Sequence, residues 1–243
     1  MRVLVMLYGI VCYFCFFVVF VYLIAFVGDI YVPKTLSSTA EGPIVSTTIA
    51  ILINGSLLLL WGVQHSVMAR SAFKNATLKW NPHHTQRSTY VLASSVVLVI
   101  MMYYWQPMEG IIWHVEHLLG QQLLWGLFVL GWLLVLLATF LTDHFDLFGL
   151  RHSWLYFRKK SYTSVQFTEN LLYRWIRHPM MLGLLIALWA IPLMDLGHLV
   201  FSLGMSAYVI IGVHFEEKAL EKSLGPQYQA YQKRTSRVIP KIY

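Results

Sequence analysis

The sequence predicts an all-α, polytopic membrane protein with about five to six transmembrane helices and with both termini in the cytosol. Three observations lead to this prediction. Hydrophobic residues make up 58% of the chain and charged residues only 12%, about half the charged share of a soluble domain. The apolar residues are gathered in long runs rather than spread at amphipathic spacing. The polar segments between these runs alternate in the sign of their net charge.

Six apolar runs are candidate spans, because a helix needs roughly 20 apolar residues to cross about 30 Å of hydrocarbon. In chain order they are Val3–Val27, Ile44–Val63, Tyr90–Tyr104, Leu123–Leu141, Met180–Met194 and Leu199–Val213. The third run is short and reaches this length if Ser88 and Trp105 lie at the two interfaces. The last two runs have roughly 15 residues each, are separated only by Pro192–His198, and predict a tight helical hairpin.

The charge of each connecting segment sets the predicted orientation. Segments 28–43 and 105–122 and the turn at Asp195 are net acidic, whereas segments 64–88, 142–179 and 214–243 are net basic. The positive-inside rule therefore places the basic segments and both termini in the cytosol, and a re-entrant last hairpin would leave the tail on the same side. The basic loops would meet anionic lipid headgroups, so the pI of about 9.4 requires no nucleic-acid partner.

The whole chain, residues 1–243, is predicted to be one integral membrane domain. Cys12 and Cys15 lie inside the first apolar run, where they are interpreted as small apolar residues rather than as a redox pair. Histidine pairs elsewhere lack further ligands at suitable spacing, and no metal site is predicted. The oligomeric state cannot be read from the sequence.

Two polar stretches at predicted cytosolic helix ends are candidates for chemistry. His65 follows the second run beside Gln64 and Ser66, where it either anchors the helix at the interface or contacts a ligand. Asp143 and Asp146, with His144 between them, leave the fourth run. On a continuing helix the two carboxylates share a face, and acidic groups at a helix C-terminus oppose the macrodipole. This placement favours a functional role over a solvated final turn.

A third polar stretch is split between the two ends of the predicted hairpin. Arg177 and His178 precede Pro179, which suits the first turn of a helix whose free N–H groups favour an anion. Across the gap, Glu217 and Glu221 are like charges one turn apart and need a cationic partner, either Arg177 or a ligand. An anion-binding corner beside paired carboxylates fits a zwitterion with an added positive centre, such as S-adenosylmethionine. The alternative is an interfacial salt-bridge cluster.

These residues resemble a known superfamily. Arg177-His178-Pro179 with Gly183, followed by Glu216-Glu217, Gly225, Tyr228, Tyr231 and Pro240, is similar to the motif pair of the isoprenylcysteine carboxyl methyltransferase superfamily. The resemblance implies that residues 170–240 bind S-adenosylmethionine at the cytosolic ends of the last spans. The implied cofactor-binding residues are Tyr173, Arg177, His178, Pro179, Gly183, His214, Glu216, Glu217 and Tyr228. Met181 departs from the pattern, since the superfamily usually has Tyr there.

The rest of the chain resembles a narrower group. The stretches His65–Arg70, Gln86–Leu92 and His144–Arg151 are similar to bacterial methanethiol S-methyltransferases and their NnrU-like relatives. This resemblance implies methyl transfer from S-adenosylmethionine to methanethiol, giving dimethyl sulfide, at the cytosolic face of a bacterial inner membrane. Membrane lipid is the other expected partner.

The residues expected to handle the thiol are His65, Asp143, His144, Asp146 and Arg151. Asp146 or His144 is expected to accept the thiol proton, and Arg151 to steady developing charge. Two alternatives stay open at this point. One is a phospholipid or isoprenylcysteine methyltransferase, and the other is a non-catalytic NnrU-like membrane protein.

Overall fold

The computed structural model describes residues 1–38, 45–164, 167 and 169–240. The helices are α1 (Arg2–Val27), α2 (Thr47–Ala69), α3 (Ser71–Thr77), α4 (His83–Tyr104), α5 (Leu118–Thr142), α6 (His144–Leu147), α7 (Leu150–Phe157), α8 (Pro179–Trp189), α9 (Leu196–Leu224) and α10 (Pro226–Arg234), with a 3-10 turn at Leu171–Arg174. Strands β1 (Ile111–His114) and β2 (Leu193–Asp195) form a two-stranded antiparallel sheet.

The predicted all-α membrane architecture is confirmed. Among the described residues, five helices (α1, α2, α4, α5 and α9) are long and apolar enough to cross a membrane. They expose large apolar side chains that an aqueous protein would bury: Leu4, Leu52 and Leu123 are between 65% and 69% exposed. Such surfaces are stable only against lipid. The first residue of the second predicted run, Ile44, lies outside the described residues.

The chain divides into two compact units. The first contains residues 1–110 and 143–165 and is built on α1, α2, α4 and α7. The second contains residues 111–142 and 166–243 and is built on α5, α8 and α9 with the small sheet. Residues 170–240, expected from the resemblance to bind the cofactor, fall in the second unit.

In the first unit, two buried polar side chains inside helices form hydrogen bonds with the backbone. Asn54, in the middle of α2 and fully buried, donates to the carbonyl of Gln106 at 2.7 Å and accepts from the Gln106 amide at 2.8 Å. At the other end of α4, Ser88 donates to the carbonyl of Gly149 at 3.3 Å. Gly149 has a φ of +87°, and a Cβ there would lie 2.6 Å from the Ser88 amide nitrogen, so only glycine fits this turn.

In the second unit, α8 and α9 form the predicted helical hairpin, but the two helices differ in length from the runs of roughly 15 residues predicted for them. Helix α8 has only 11 residues, because Pro192 disfavours helical geometry at Ile191 and the chain turns extended after Trp189. Helix α9 has 29 residues and begins at Leu196, where the Asp195 side chain caps it by accepting from the His198 amide at 2.7 Å. His198 therefore lies inside α9 rather than in the turn.

The end of α8 is stabilised by side chains of α9. His198 lies 3.1 Å from the carbonyl oxygen of Leu188, and Ser202 donates to the same oxygen at 2.8 Å. Both side chains are fully buried. A helix that stops within a membrane leaves carbonyl groups that neighbouring side chains must satisfy, and these two residues do so.

The small sheet shows where two of the acidic connecting segments lie relative to each other. Strand β1 precedes α5, and β2 joins α8 to α9, so their pairing brings the 111–122 part of segment 105–122 and the turn at Asp195 to the same end of the second unit. These are two of the three segments with net negative charge, and their shared position agrees with the charge pattern. Which face of a membrane this end occupies remains a prediction, as does the cytosolic position of the termini.

Helices α5 and α8 are in backbone contact through two glycines. A Cβ built on Gly183 would lie 2.6 Å from the carbonyl oxygen of Gly131, and one built on Gly131 would lie 2.7 Å from the carbonyl oxygen of Gly183. Small residues allow such close approach between helices in membranes, where packing replaces the hydrophobic effect as the attraction between spans. Packing alone therefore accounts for glycine at position 183.

We predict that Gly183→Ala lowers the melting temperature of the purified protein in detergent, by an amount equivalent to roughly 1–3 kcal/mol of overpacking. The obstructing atoms are backbone and cannot rotate away. Gly126→Ala on α5 is the matched control, because a Cβ there meets nothing within 4 Å. Equal melting temperatures for Gly183→Ala and Gly126→Ala would contradict the assigned contact.

Candidate functional site

The second unit contains a buried carboxylate held by residues from two other segments of the chain. Glu217 on α9 is only 5% exposed. Arg177 Nε donates to its Oε1 at 2.6 Å, and His178 Nε2 lies 3.2 Å from the same oxygen. The predicted convergence of Arg177-His178 with Glu216-Glu217 is thus confirmed. We call Arg177, His178, Glu217 and Arg237 the Glu217 cluster.

Arg237 completes this cluster from the C-terminal segment. Its Nε lies 2.8 Å from Glu217 Oε2, so both carboxylate oxygens face a guanidinium. The same segment pairs with the chain before α8: the amides of Arg177 and His178 donate to the carbonyls of Ser236 and Arg237 at 2.9 and 3.1 Å. Sequence reasoning missed Arg237. The adjacent acidic residues Glu216 and Glu217 could have indicated it, because a buried carboxylate beside another acidic residue needs more than one cationic partner.

His178 links the buried carboxylate to an exposed one. Its Nδ1 lies 3.6 Å from Glu216 Oε2, and the Glu216 side chain is 50% exposed. Pro179 is the first residue of α8, as predicted. The amides of Met181 and Leu182 both donate to the His178 carbonyl, which leaves fewer free N–H groups for an anion than the sequence suggested. Positive charge in this corner therefore comes mainly from the two guanidiniums.

The remaining predicted cofactor residues lie in different environments. Tyr228 is 1% exposed, and its ring contacts the ring of Tyr231. Burial, together with the Glu216 charge, raises the pKa of Tyr173 to about 12. The Tyr173 carbonyl accepts a hydrogen bond from the Tyr231 hydroxyl at 2.5 Å. His214 is exposed and contacts Phe215, so the structure does not bring it into the Glu217 cluster.

In the first unit, Asp143 begins a helix instead of ending one. Helix α5 stops at Thr142, and Asp143 adopts a φ of +124° that is unfavourable for any residue except glycine. Its side chain then caps α6 by accepting from the Asp146 amide at 3.0 Å. The expectation that the helix continues through Asp143 and Asp146, with both carboxylates opposing its macrodipole, is wrong. Asp143 lies instead at the N-terminus of α6, where a carboxylate is favourable.

Asp146 is held by several donors at once. Arg151 Nη1 donates to its Oδ1 at 2.8 Å, Tyr162 donates to its Oδ2 at 3.2 Å, and His152 Nε2 lies 3.5 Å from Oδ1. Burial alone would raise the pKa of Asp146, but the contacts with His152, Arg151 and Tyr162 outweigh it and hold the pKa below its usual value. A carboxylate so stabilised is a poor proton acceptor.

Arg151 extends this arrangement to a following segment. Its guanidinium donates to the carbonyl and the hydroxyl of Thr163 at 3.0 and 2.9 Å, and Nε lies 3.6 Å from Asp143 Oδ2. We define the Asp146 cluster as Asp143, Asp146, Arg151, His152 and Tyr162. Its described contacts tie the 158–164 segment to α6 and α7.

His144 differs from its acidic neighbours. It is 6% exposed, its Nε2 lies 2.7 Å from the Tyr13 hydroxyl, and its ring packs edge-on against Phe148. Burial lowers the pKa of His144, and the Asp143 charge opposes this only in part. A lowered pKa favours the neutral form of the imidazole at pH 7 and also makes it a weaker base than an exposed histidine. Tyr13 was not anticipated, because it lies inside an apolar run with no polar neighbour.

His65 is paired within the first unit. Its Nδ1 lies 3.1 Å from the Ser94 hydroxyl and its Nε2 lies 2.6 Å from the Tyr90 hydroxyl, while its ring stacks on Trp61 at 4.8 Å. Both ring nitrogens thus contact α4. This arrangement joins α2 to α4 and supports a structural role for His65.

Comparisons with known proteins were made on the whole chain. Residues 51–242 match the profile of the NnrU protein family. The chain is similar to the methanethiol S-methyltransferases of Mycobacterium tuberculosis (44% identical, covering 98% of this chain and 97% of that one) and Crocosphaera subtropica (41%, covering 99% and 93%). It is also similar to that of Pseudomonas deceptionensis (45%, covering 89% and 81%). No solved structure matches significantly.

We predict that Asp146→Asn lowers thermal stability at pH 7, because the amide loses the charge that Arg151 and His152 stabilise. The folded pKa of Asp146 is depressed below 3.8. The ionised Asp146 side chain therefore contributes to the free energy of unfolding above about pH 4. This contribution is lost as the pH falls through the pKa of Asp146 in the folded protein. The gap in melting temperature between wild type and variant should narrow below about pH 4.

Glu116→Gln is the control for this measurement, since the Glu116 side chain is 85% exposed. A gap between wild type and Asp146→Asn that stays constant from pH 7 down to about pH 3 would show that the ion pair makes no such contribution.

Proposed function

The chain belongs to the NnrU protein family and to the group of methanethiol S-methyltransferases, and from this premise we propose that it is a membrane-embedded, S-adenosylmethionine-dependent enzyme that converts methanethiol to dimethyl sulfide. The observation that carries the proposal is the likeness to enzymes of one activity along almost the whole chain. The described part of the chain contains five helices that are long and apolar enough to cross a membrane. Such a protein suits an enzyme whose small apolar substrate partitions into lipid. We place the site at the cytosolic face of a bacterial inner membrane, as the charge pattern favours.

The Glu217 cluster has the donor chemistry that the methyl donor requires. S-adenosylmethionine, when bound, supplies an electrophilic methyl group on a sulfonium and carries a zwitterionic amino-acid end. Arg177 and Arg237 offer positive charge toward a carboxylate, and the half-exposed Glu216 offers negative charge toward an ammonium group. The charges of these residues in the second unit therefore match those of the amino-acid end of S-adenosylmethionine.

Within this proposal, Glu217 holds the cationic residues rather than touching the sulfonium. Both of its oxygens are already bound by Arg177, His178 and Arg237, and its side chain is 6% exposed. A carboxylate so enclosed fixes the direction of the guanidiniums, which lowers the reorganisation needed when a ligand arrives. Tyr173, Pro179 and His214 remain proposed contacts from the resemblance, and Gly183 is needed for packing in any case.

The thiol must lose its proton to become an effective nucleophile, and apolar surroundings make that loss harder. We propose His144 as the proton acceptor, because it is neutral, buried and beside apolar rings. Asp146 is a weaker candidate, because its pKa is lowered from the ordinary carboxylate value of 3.8, whereas that of His144 is lowered from 6.5. Asp143 and Arg151 are proposed to position the segment that carries His144, for which their described contacts are suited. The described contacts of His65 join α2 to α4, so its role toward the thiol rests on the resemblance alone.

The proposed activity predicts dimethyl sulfide formation by the purified protein. With S-adenosylmethionine labelled on the methyl group, label should appear in a volatile product when methanethiol is supplied, as detected by gas chromatography. A phospholipid and a prenylated cysteine, tested in parallel, should remain unlabelled. Labelling of either lipid substrate, with no turnover of any thiol, would replace this proposal by the lipid-methylating alternative.

The proposed role of Glu217 predicts that Glu217→Gln weakens S-adenosylhomocysteine binding by about tenfold or more, or about 1.4 kcal/mol. The neutral amide would no longer hold two buried guanidiniums in one place. Glu221→Gln, one turn further along α9, is the control, because the described contact of Glu221 is with Gln232. Isothermal titration of the folded, monodisperse fraction measures both. Unchanged affinity in Glu217→Gln would refute the role.

A further inference from the structure

In the first unit, helix α7 packs along the first part of α1 and runs in the opposite direction. The Arg2 guanidinium lies 5.6 Å from the centre of the Tyr156 ring, near the end of α7. Further along α1, a Cβ built on Gly9 would lie 2.5 Å from the hydroxyl oxygen of Ser153, nearer the start of α7. The short helix α6, which precedes α7 in the chain, therefore meets α1 deeper in its apolar run.

Tyr13 and His144 form a hydrogen bond at this depth. The Tyr13 hydroxyl oxygen lies 2.7 Å from His144 Nε2. Between Arg2 and Tyr13, α1 rises roughly 16 Å, since an α-helix rises about 1.5 Å per residue. Arg2 is the only charged residue of α1, and this helix is one of the candidate membrane spans. The hydrogen bond thus lies beside the apolar length of a span rather than in an aqueous loop.

Aromatic rings surround this hydrogen bond. The ring centre of Phe148 lies 4.9 Å from that of His144 and 6.4 Å from that of Tyr13, and the ring of Phe145 lies 5.3 Å and 6.1 Å from the same two centres. Ionisable residues held in apolar surroundings within a membrane are rare, and they commonly belong to substrate paths or proton relays. The position of His144 therefore favours a functional reason for its partner on α1.

Proton transfer places a demand on this partner. When an imidazole takes up a proton, both of its ring nitrogens carry hydrogen and become donors. In apolar surroundings an N–H donor without an acceptor is costly, and more so when the ring is charged. The Tyr13 oxygen is at hydrogen-bond distance from Nε2 and can accept from it without gaining or losing a proton itself.

We propose that Tyr13 is a positioning residue for methyl transfer, whose hydroxyl fixes the His144 ring and accepts a hydrogen bond from Nε2 while the ring is protonated. This role rests on the proposed function, in which His144 is the proton acceptor, and it adds a residue of the first span to the site. In the reaction, the S–H bond of the thiol breaks and its proton goes to the imidazole. The thiolate sulfur then bonds to the methyl carbon of the donor, and the bond from that carbon to the sulfonium sulfur breaks, leaving its electron pair on that sulfur. The imidazolium afterwards releases its proton to solvent.

A double-mutant cycle on the full-length protein in lipid nanodiscs tests this role. We expect Tyr13→Phe to lower kcat for methanethiol by about tenfold or more, because the protonated ring loses its acceptor, while KM stays within about twofold of wild type. Adding Tyr13→Phe to His144→Gln should lower kcat no further than His144→Gln alone, because Tyr13 acts only through the imidazole.

Tyr8→Phe is the matched control for Tyr13→Phe. It removes a tyrosine hydroxyl from the same helix, where the described bond is to the Thr89 hydroxyl at 2.9 Å. Both variants lose one hydrogen bond between α1 and a neighbouring segment, so a purely structural effect should be similar in the two. We expect kcat of Tyr8→Phe to stay near that of wild type.

The pH dependence of kcat/KM gives a second readout, which does not require any activity in His144→Gln. Loss of an acceptor disfavours the protonated ring, so the acidic limb of the profile should move to lower pH in Tyr13→Phe and stay in place in Tyr8→Phe. The titratable groups with described interactions at His144 are Tyr13 and Asp143, and both variants keep Asp143. A limb that stays in place in Tyr13→Phe, or moves to higher pH, would overturn the acceptor role.

The kinetic outcomes separate the role of Tyr13 from the proposed function. Equal kcat values for Tyr13→Phe and Tyr8→Phe would overturn the role of Tyr13, as would losses that multiply in the double variant. Unchanged kcat in His144→Gln would instead remove His144 as the proton acceptor. Absence of dimethyl sulfide from the wild-type protein would remove the proposed activity itself.

Discussion

The burial of the Glu217 carboxylate is the constraint on which the second unit depends. An ionised side chain with 5% exposure is stable only when cationic partners surround it. Here they come from before α8 and from the C-terminal segment, at Arg177, His178 and Arg237. One carboxylate thus joins three parts of the chain that are distant in sequence, and it fixes two guanidiniums in a defined direction. A site that must recognise a charged ligand needs such prior order.

The two units use acidic residues in a similar way. Asp146 in the first unit, like Glu217 in the second, is bound by an arginine and a histidine of its own unit. Neither carboxylate is arranged to take up a proton at neutral pH. The proton acceptor we propose is instead His144, a buried imidazole among aromatic rings. In these two clusters, the charged groups therefore hold segments of the chain in place.

Sequence reasoning succeeded where the membrane imposes a simple rule. The long spans follow from the length of apolar runs, and the meeting of Arg177 with Glu217 follows from antiparallel neighbours joined by a short connection. It failed where the outcome depends on particular contacts. The shortness of α8 depends on Pro192 and on His198 reaching the Leu188 carbonyl. The role of Asp143 depends on one backbone angle, and Arg237 enters only through the fold of the C-terminal segment.

The most direct test of this account is an experimental structure of the protein saturated with S-adenosylhomocysteine in lipid nanodiscs. The account predicts that the amino-acid end of the ligand lies against the Glu217 cluster, while Glu217 keeps its contacts with Arg177, His178 and Arg237. Ligand density elsewhere in the protein, with the Glu217 cluster unchanged and unoccupied, would contradict it. The cluster would then be a structural ion-pair network, and the donor site would have to be sought among other residues.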